Sequence, residues 1–564
     1  MKIHRKIKTD VLVVGSGLAG IKVSYELANK NRHVLMIAKT KIASGSSFYP
    51  LKASLGTQVT KDEADKNLFL KDIDDLSRGM HREDLAEVYV EEIPDRVQEY
   101  KDIGVLSKKL EGERKACFAN HPRDIYLLKD WDQIRKNVIE IFSRYDHLRW
   151  MQKTIAVSLL KKNGRIIGAL LLDENNEFVV VESQAVILAS GGFGSIYKHN
   201  LNPADVDGSG HILALEAGAK LVNMEFIQFI PGITIPHYKT LFGEQTLMYC
   251  TDIVDDDGKS LLDPYVENKL SKKECLELRS THGPFTHSLE SKYFDIAMMK
   301  QIKTTKNEKG FRLLFDPKLY TNQEEFYTVY LDWLKEQNVH FVKDEVRVAP
   351  FAHASNGGVF IDSYGRTGVH GLYAIGELSS NIEGANRLGG NSTGACMVFG
   401  KRAAIDCDRY ISAMKPYEIS REEANYFLAQ FLHSEQIKDR KKDDLSANEI
   451  IAQIKEIMWY EGNVIRSESG LRSGIMKIRK LASHFSFTNL MEDPYSRKLA
   501  VKARNFLKLS QLLLRSMLER KESRGAHYRE DYPHENPKYN KRLFISQANH
   551  QLLYEFVDDS RSTA

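Results

Sequence analysis

Glycines near the start of the chain are spaced to bring the backbone close to a phosphate group. Gly15, Gly17 and Gly20 follow the apolar run VLVV within the segment TDVLVVGSGLAG. The first glycine permits a tight turn, the second lets the backbone approach a pyrophosphate, and the third allows the next helix to pack closely on the strand. The N–H groups that begin such a helix then point at the phosphates. Taken alone, the pattern is equally typical of an ordinary glycine-rich turn between a strand and a helix.

Two later segments repeat this pattern of an apolar strand that runs into glycines. The segment AVILASGGFG contains Gly191 and Gly192, directly after the strand. In the segment GLYAIGELSSNIEGANRLGGNSTG, residues 371–394, the strand ends at Gly376 and a glycine-rich stretch follows. A domain that binds only a nicotinamide dinucleotide has no reason to return to its first strand so late in the chain. The three segments together therefore predict an FAD-binding domain.

Long stretches of the chain resemble the flavoprotein subunits of the succinate dehydrogenase and fumarate reductase superfamily, which includes L-aspartate oxidase. The matching stretches, which run from residue 9 to residue 533, are VVGSGLAG, ASGGFGSIYKHNLNPADVDGSGHILALEAGAKLVNMEFIQF, PFAHASNGGVFIDSYGRTGVHGLYAIGE, GANRLGGNS, NVIRSESGL and SRGAHYREDYP. The run from Gly208 to Phe229 is specific to this superfamily. The resemblance implies an FAD-dependent oxidoreductase, either a dehydrogenase or a reductase.

The resemblance also implies an α/β fold in which an α+β capping domain interrupts a Rossmann-like FAD-binding domain and a helical C-terminal domain follows. The predicted ranges are 1–229 and 346–410 for the two parts of the FAD-binding domain, 230–345 for the capping domain and 411–564 for the helical domain.

Local patterns predict several elements within these ranges. Residues 154–188 favour three antiparallel strands, because turn residues such as Asn163-Gly164 separate apolar runs. In the capping range, IVDDDGKSLL predicts a hairpin and QEEFYTVYLDWLKEQN predicts an amphipathic helix. The charged run KDRKKDD, residues 438–444, predicts a solvated linker.

The resemblance places FAD contacts in all three glycine segments and in a few positions between them. The predicted cofactor-binding residues are Gly15, Gly17, Leu18, Ala19, Gly20, Lys39, Ser46, Ser190, Gly191, Gly192, Asp207, Gly376, Glu377, Asn391 and Ser392. Relatives that link FAD covalently use a histidine whose counterpart here falls near Ser47, and no histidine lies between His33 and His81. We therefore expect FAD to be bound non-covalently. No metal site is predicted.

Hydride exchange with a flavin also needs a cation that holds the substrate and often a group that gives or takes a proton. The resemblance places a substrate histidine at His353 and a carboxylate-binding arginine at Arg387. An arginine suits this role because its planar fork meets a carboxylate through two hydrogen bonds. The structural alternatives are a histidine that only ends a strand, and an arginine that binds only FAD or an acid such as Glu383.

Other substrate contacts of the superfamily are missing from the sequence. Members that act on dicarboxylates carry the motif QFHP where this chain has QFIP, with Ile230 at the histidine position. Their proton-shuttling arginine falls at or next to Ser288, and no arginine lies between Arg279 and Arg312. The Thr-Glu and Gly-Glu-Gly-Gly segment is replaced by TLMYCTDIVDDDG. A pocket for two carboxylates would leave charge poorly paired here.

The capping range offers other groups that could replace the missing acid or base. His282 and His287 flank a GPFT turn, which favours one of them as a catalytic residue that faces the flavin. Tyr249 and Tyr293 are further candidates. Each of the four, taken singly, is more typical of a structural residue.

Composition agrees with a large soluble enzyme. The 564 residues are 42% hydrophobic, and 80 Lys and Arg against 76 Asp and Glu give a net charge of +4, so there is no electrostatic case for nucleic acid. No window reaches the roughly 18 uninterrupted apolar residues of a membrane span. The 5 cysteines contain no CxxC pair, which supports neither a disulfide framework nor an iron–sulfur site, and a cytoplasmic location is expected.

Three hypotheses about function remain open. The first is an enzyme that transfers hydride between FAD and a small unsaturated or amino carboxylate other than succinate or fumarate. The second is the flavoprotein subunit of an electron-transfer complex, whose iron–sulfur partner protein supplies the redox centre. The third is a protein that binds FAD without turnover. The retained histidine and arginine favour the first.

Overall fold

The computed structural model describes residues 1–49, 54–266, 270–379, 382–434, 444–549 and 551–558. The predicted linker at 438–444 lies, apart from Asp444, outside the described residues. The strands are β1 Ile3–Lys8, β2 Val11–Val14, β3 Val34–Ile37, β4 Leu55–Val59, β5 Ser107–Lys109, β6 Asp124–Leu128, β7 Leu148–Met151, β8 Ile155–Lys162, β9 Arg165–Leu172, β10 Phe178–Glu182, β11 Ala185–Leu188, β12 Leu221–Val222, β13 Ile227–Ile235, β14 Thr240–Leu241, β15 Cys250–Val254, β16 Phe311–Phe315, β17 Arg347–Ser355, β18 Gly358–Val359, β19 Leu372–Ala374, β20 Arg542–Ala548 and β21 Gln551–Val557.

The α-helices alternate with these strands and dominate after residue 390. They are α1 Leu18–Ala28, α2 Glu63–Ser77, α3 Glu83–Gln98, α4 Trp131–Phe142, α5 Ser209–Ala217, α6 Asp263–Val266, α7 Lys272–Arg279, α8 Lys292–Thr305, α9 Glu325–Glu336, α10 Asn391–Ala413, α11 Arg421–Leu432, α12 Ala447–Glu461, α13 Glu468–Ser483, α14 Phe487–Glu492 and α15 Arg497–Glu519. Among the described residues, no helix is both long enough and apolar enough to span a membrane.

The strands of the three glycine segments are neighbours in one parallel sheet with the order β19-β11-β2-β3-β7. The strands β2 and β11 are buried along their whole length, because runs such as VLVV and AVIL suit a sheet covered on both faces. Val14 pairs with Leu188, which in turn pairs with Ala374, so the three strands end at one edge. The sheet therefore brings the three glycine segments together, which confirms the predicted α/β fold.

The predicted antiparallel meander is also present, as β8, β9 and β10. The turn between β8 and β9 contains Asn163 and Gly164, both with positive φ. A fourth strand, β1, adds in parallel to the edge of β10.

The capping insertion is built on an antiparallel sheet with the order β14-β13-β17-β16-β15. The predicted amphipathic helix is α9. The predicted hairpin IVDDDGKSLL is present but short: around the bridge between Val254 and Ser260, the Asp255 N–H donates to the carbonyl oxygen of Lys259 at 3.0 Å and the Leu261 N–H donates to that of Ile253 at 2.9 Å. The strand β15 also pairs with β16, more than 50 residues later, which a local pattern does not reveal.

The C-terminal region contains the predicted helices as α12, α13 and α15. It is not helical throughout, because β20 and β21 form a hairpin. This hairpin extends the sheet that contains β12 and β18 of the FAD-binding part. The last strands of the chain therefore connect the helical region to the FAD-binding part.

Candidate functional site

A deep cavity lies where β2, β11 and β19 end. It encloses about 1980 Å³ of empty space, its open mouth included. Most of the predicted cofactor-binding residues form its wall: Gly15, Gly17, Leu18, Ala19, Lys39, Ser46, Ser190, Gly191, Asp207, Gly376, Glu377 and Ser392. The cavity is therefore the place where the three glycine segments could hold one ligand.

The other three predicted cofactor residues lie outside this wall. A Cβ atom on Gly20 would overlap the carbonyl oxygen of Gly15, so this glycine lets α1 pack against the turn. A Cβ atom on Gly192 would overlap the carboxylate of Glu377. Asn391 is fully buried at the start of α10. These three residues shape the wall without lining the cavity.

The wall of the cavity has the close backbone approach that a dinucleotide requires. Gly15 has a φ of +120°, and a Cβ atom there would overlap the carbonyl oxygen of Ala189. Gly376 has a φ of +70°, and a Cβ atom there would lie 3.0 Å from the Cβ atom of Ala19. Side chains at these two positions would fill the space between the strand ends.

Three helices begin at the cavity: α1, α5 and α10. Each has a glycine at its N-cap, no side-chain capping bond and no acidic residue in its first turn. The dipoles of these helices favour an anion at the cavity, although the Leu18 N–H of α1 already donates to Ser47 Oγ at 3.3 Å and the Ser209 N–H of α5 donates to Asp207 Oδ1 at 3.2 Å. Ser190 adds a buried hydroxyl in the wall without a hydrogen-bond partner in the described part of the chain. The residues present therefore fit FAD, whose pyrophosphate is anionic and whose rings carry several hydrogen-bonding atoms.

Three lysines line another part of the wall. The predicted Lys39 forms an ion pair with Asp207, and Lys498 and Lys502, which sequence reasoning missed, reach the same cavity from α15. Burial alone would raise the pKa of the Asp207 carboxyl, but the charges of Lys39 and Lys502 hold it below its ordinary value. Burial lowers the pKa of Lys502 to about 8. No local sequence signal links α15 to this site, because more than 450 residues separate Lys39 from Lys502.

Arg387 lines the cavity and is held by two neutral side chains. Its Nε donates to Gln228 Oε1 at 3.2 Å, and its Nη1 donates to Ser392 Oγ at 2.6 Å. Within the described ranges, Arg387 forms no ion pair, and no hydrogen bond occupies its Nη2. Burial raises the pKa of the alternative partner Glu383 to about 8, although the charge of Arg387 opposes this rise. One edge of the guanidinium is therefore available to a carboxylate.

His353 lies on β17 and also lines the cavity. Its carbonyl oxygen accepts a hydrogen bond from Asn202 Nδ2 at 2.6 Å, which fixes the end of the strand. The structure thus brings the predicted substrate histidine and the predicted arginine into one cavity.

His282 does not line the cavity, because its ring is enclosed by other groups. Its Nδ1 lies 2.8 Å from the carbonyl oxygen of Pro284, and its Nε2 lies 2.8 Å from Ser291 Oγ. The ring stacks on Phe118 with centroids 4.7 Å apart. Burial, and then the charge of Arg279, lower the pKa of His282 well below its ordinary value. Its geometry is that of a neutral structural histidine.

The other three candidates of the capping range also lie outside the cavity wall. The His287 ring stacks on Tyr528, with centroids 5.7 Å apart. Tyr249 Oη accepts a hydrogen bond from an asparagine side chain at 3.0 Å, and Tyr293 stacks on a neighbouring tyrosine. Tyr249 and Tyr293 therefore pack within the capping part, whereas His287 packs against the C-terminal region.

Arg279 does not replace the missing proton-shuttling arginine. Its side chain is fully buried, with Nε donating to Asp295 Oδ2 at 2.8 Å and Nη2 donating to the carbonyl oxygen of Gly283 at 2.7 Å. Its Nη1 donates to the carbonyl oxygen of His282. Every nitrogen of this guanidinium is thereby occupied within the capping part.

Glu244 is an acidic residue of the cavity wall that sequence reasoning missed. A Cβ atom on Gly283 would lie 3.3 Å from its carboxyl carbon, and the Gly283 N–H donates to Cys117 Sγ at 3.0 Å. Burial raises the pKa of Glu244, while the charge of Arg279 opposes the rise. In the sequence, Glu244 lies two residues before the segment TLMYCTDIVDDDG, and this position is the signal that could have identified it. Glu244 is a carboxyl group able to hold a proton closer to neutral pH than an exposed glutamate.

The backbone around Glu244 is firmly held. A Cβ atom on Gly243 would lie 2.6 Å from the Tyr330 ring, and the Tyr330 hydroxyl donates to the carbonyl oxygen of Leu241 at 3.0 Å. The buried Thr246 hydroxyl donates to the carbonyl oxygen of Gly243 at 2.7 Å. These contacts fix where the carboxyl group enters the cavity.

Comparison with known proteins agrees with this architecture. Residues 10–393 match the family model described as FAD binding domain, and residues 451–562 match the one described as fumarate reductase flavoprotein C-term. A fumarate reductase (CoM/CoB) subunit from Methanothermobacter marburgensis is 28% identical over 571 residues, which cover 95% of this chain and 97% of that one. An L-aspartate oxidase from Yersinia pestis is 26% identical over 566 residues, with coverages of 94% and 97%. The solved structure of Mycobacterium smegmatis Sdh1 in complex with UQ1 has the same fold, with a TM-score of 0.80 at 22% identity and coverages of 98% and 94%.

Proposed function

Because this chain belongs to the FAD-binding family of fumarate reductase and L-aspartate oxidase flavoproteins, we propose that it transfers hydride between FAD and a small substrate whose carboxylate binds Arg387. The chain is an FAD-dependent oxidoreductase, and bound FAD supplies the hydride acceptor or donor. The substrate assignment rests on the position and hydrogen bonds of Arg387. Its guanidinium is held by Gln228 and Ser392 and keeps one edge open to the cavity.

Residues of the cavity wall have different roles toward a bound substrate. The open edge of Arg387 binds the carboxylate through two hydrogen bonds and fixes its orientation. His353 lies in the same wall and can donate or accept a hydrogen bond at the substrate. Glu244 gives or takes the proton that accompanies hydride transfer, which is the role left open by the missing arginine. The apolar side chains of Ile230 and Leu241 exclude water from this end of the cavity.

Anaerobic spectroscopy of the purified flavoprotein tests the proposal. A panel of carboxylic acids and enoates is added to the oxidised and to the reduced protein, and the flavin absorbance is followed. A carboxylate that bleaches or restores the flavin absorbance supports the function. If every carboxylate leaves the spectrum unchanged while the protein retains FAD, the proposed reaction is wrong and the third hypothesis, FAD binding without turnover, stands.

A second candidate function is that of the flavoprotein subunit of an electron-transfer complex. One relative is itself a subunit of a fumarate reductase, and its match covers almost the whole of this chain. The partner protein would then be an iron–sulfur protein that exchanges electrons with the flavin. Purification of the chain from its native source favours this candidate if an iron–sulfur protein elutes with it in a fixed ratio. A location in the reducing cytoplasm is proposed as well, since all five cysteines are free thiols.

We predict that FAD is released intact when the protein is denatured. No histidine lies between His33 and His81 to form the covalent link used by some relatives. Precipitation with acid or heat should leave a yellow supernatant with the absorbance spectrum of FAD. Flavin that remains in the washed pellet would contradict the prediction.

Glu244→Gln should remove one limb of the pH–rate profile. In the direction that reduces the substrate, Glu244 must be protonated, so the wild-type rate should fall as pH rises through the raised pKa of this carboxyl. The glutamine cannot give a proton, so we expect a rate about 10²- to 10⁴-fold lower that lacks this limb. The charged and thiol groups that act on Glu244 are Arg279 and Cys117, with Arg387 nearby, and all three stay in place in the variant.

The conservative variant and an exposed control separate this role from a structural one. Glu244→Asp should keep the pH limb at a reduced rate, because the carboxyl group is retained. Glu324→Gln, at a capping-part residue whose side chain is 63% exposed, should leave rate and pH profile unchanged. A Glu244→Gln enzyme that keeps the wild-type pH limb would assign the proton to another group.

A further inference from the structure

The face of the capping sheet that borders the cavity is apolar next to His353. Ile230 lies on β13, and Gly232, on the same face two residues later, pairs with Leu241 of β14. Ile230 and Leu241 therefore point to the same side, and both line the cavity. Pro284 adds a third apolar group to this part of the wall. Ile230 is only 5% exposed, so a substrate group in contact with it is removed from water.

Positive charge at this end of the cavity is limited. At this end, the described wall contributes Arg387 as the cation and His353 as the titratable base. In the same wall, Lys39 and Lys502 interact electrostatically with Asp207 instead, and Lys498 donates to the carbonyl oxygen of Lys153 at 2.6 Å. Arg279 is fully buried, and its nitrogens are occupied by Asp295 and backbone carbonyls.

A second carboxylate on the substrate would consequently lie in an unfavourable place. With the first carboxylate on Arg387, the other end of a dicarboxylate would meet Ile230, Leu241 and Pro284, and the acidic Glu244 lines the same wall. A buried anion without a cationic partner is strongly disfavoured, and a second acid beside it adds repulsion. An apolar group in the same place gains roughly fourfold in affinity for each buried CH₂.

We infer that the substrate is a monocarboxylate with an apolar group at its far end, where a dicarboxylate carries its second charge. The inference rests on the proposed function, because it takes Arg387 as the anchor of the single carboxylate. It assigns Ile230 a part in specificity, since this residue stands where dicarboxylate-binding members of the superfamily carry a histidine. The substrate class is that of a short 2-enoic acid and its saturated counterpart.

The test compares ligands that differ only at this far end. Crotonate and fumarate share one carboxylate and a trans double bond, but crotonate has a methyl group where fumarate has its second carboxylate. Butanoate and succinate form the matching saturated pair. Each is titrated into the purified holoprotein while the flavin absorbance reports binding. We expect crotonate to bind at least about tenfold more tightly than fumarate, and trans-2-pentenoate to bind roughly fourfold more tightly than crotonate.

Variants at Ile230 test whether this wall sets the preference. Ile230→Ala should weaken crotonate several-fold without improving fumarate. Ile230→His should improve fumarate below about pH 6.5, where an unperturbed imidazole is protonated, and should weaken crotonate. Ile233→Val, on the same strand but outside the cavity wall, should leave the ratio of the two affinities unchanged.

The outcomes distinguish this inference from the proposed function. Fumarate that binds as tightly as crotonate, with both lost in Arg387→Ala, would overturn the monocarboxylate class and leave the carboxylate anchor intact. If no member of the panel, cinnamate included, changes the flavin spectrum, the proposed function fails and the inference fails with it. Crotonate binding that survives Arg387→Ala would also refute the anchor.

Discussion

Arg387→Ala is expected to abolish most substrate-dependent reduction or reoxidation of the flavin while the protein keeps its FAD. The wild-type guanidinium is positioned by Gln228 and Ser392. Its open edge can bind a carboxylate in the cavity that His353 also lines. Removal of a charge-assisted partner at a desolvated site costs about 2 to 5 kcal/mol, which is roughly a 30- to 4,000-fold loss. His353→Ala should cause a smaller loss, because a histidine does not carry the full ionic anchor.

The measurement compares variants at matched flavin content. Substrate affinities from flavin titrations and single-turnover rates should fall together in Arg387→Ala. Arg387→Lys should lie between the wild type and Arg387→Ala, since a lysine keeps the charge but lacks the fork. Arg409→Ala, at an exposed position on α10, should behave like the wild type. An Arg387→Ala protein that purifies without FAD, or turns over normally, would assign the arginine to the cofactor cradle or to the scaffold.

Much of the cofactor site could be predicted from sequence because its signals are local. Each glycine segment is an apolar strand followed directly by residues that only glycine suits, as the positive φ of Gly15 and Gly376 shows. Parallel strands that are neighbours end at the same edge, so predicting the three strands also predicts that their glycines meet. The pairing of Val14 with Leu188, and of Leu188 with Ala374, realises this expectation.

The proposed acid–base group could not be predicted in the same way, because the direction of a side chain depends on tertiary packing. His282 stands beside a turn that approaches the cavity, yet its ring is turned toward Ser291 and Phe118. Glu244 belongs to a segment with no periodic pattern, and it faces the cavity because Tyr330, from α9, packs on Gly243. Sequence spacing alone does not distinguish these two outcomes.

The C-terminal hairpin departs from the sequence prediction for a different reason. The segments RLFISQA and QLLYEFV are separated by only two residues, and the first of these, Asn549, has a positive φ. Such an arrangement is a hairpin signal. The strong helical pattern before it outweighs this short signal, and the partner strand of β20, β12, lies more than 300 residues earlier in the chain.

The largest expected effect on stability comes from Arg520→Met. Arg520 directly follows α15 and is fully buried. Its Nε donates to Glu225 Oε1 at 2.6 Å and its Nη1 to Glu522 Oε1 at 3.0 Å. Other donors reach the carbonyl oxygens of Tyr539 and Lys541. The methionine would fill similar space but would leave the buried Glu225 carboxylate without this cation. Because breaking a buried ion pair from one side costs about 3 to 5 kcal/mol, the variant should lose much of a typical free energy of unfolding of about 5 to 15 kcal/mol.

Denaturant unfolding of the FAD-loaded protein, followed by circular dichroism, measures this effect as a shift of the midpoint. The matched control is Arg515→Met on α15, where Arg515 pairs with Glu519 one turn away and its side chain is 48% exposed. An exposed pair of this kind contributes only about 0.3 to 0.5 kcal/mol, so the control midpoint should hardly move. Adding Glu225→Gln to Arg520→Met should recover part of the loss, since burial already raises the pKa of Glu225 and the neutral side chain removes the unpaired charge. Equal midpoints for the Arg515 and Arg520 variants would mean that the buried charges do not hold α15 to the FAD-binding part.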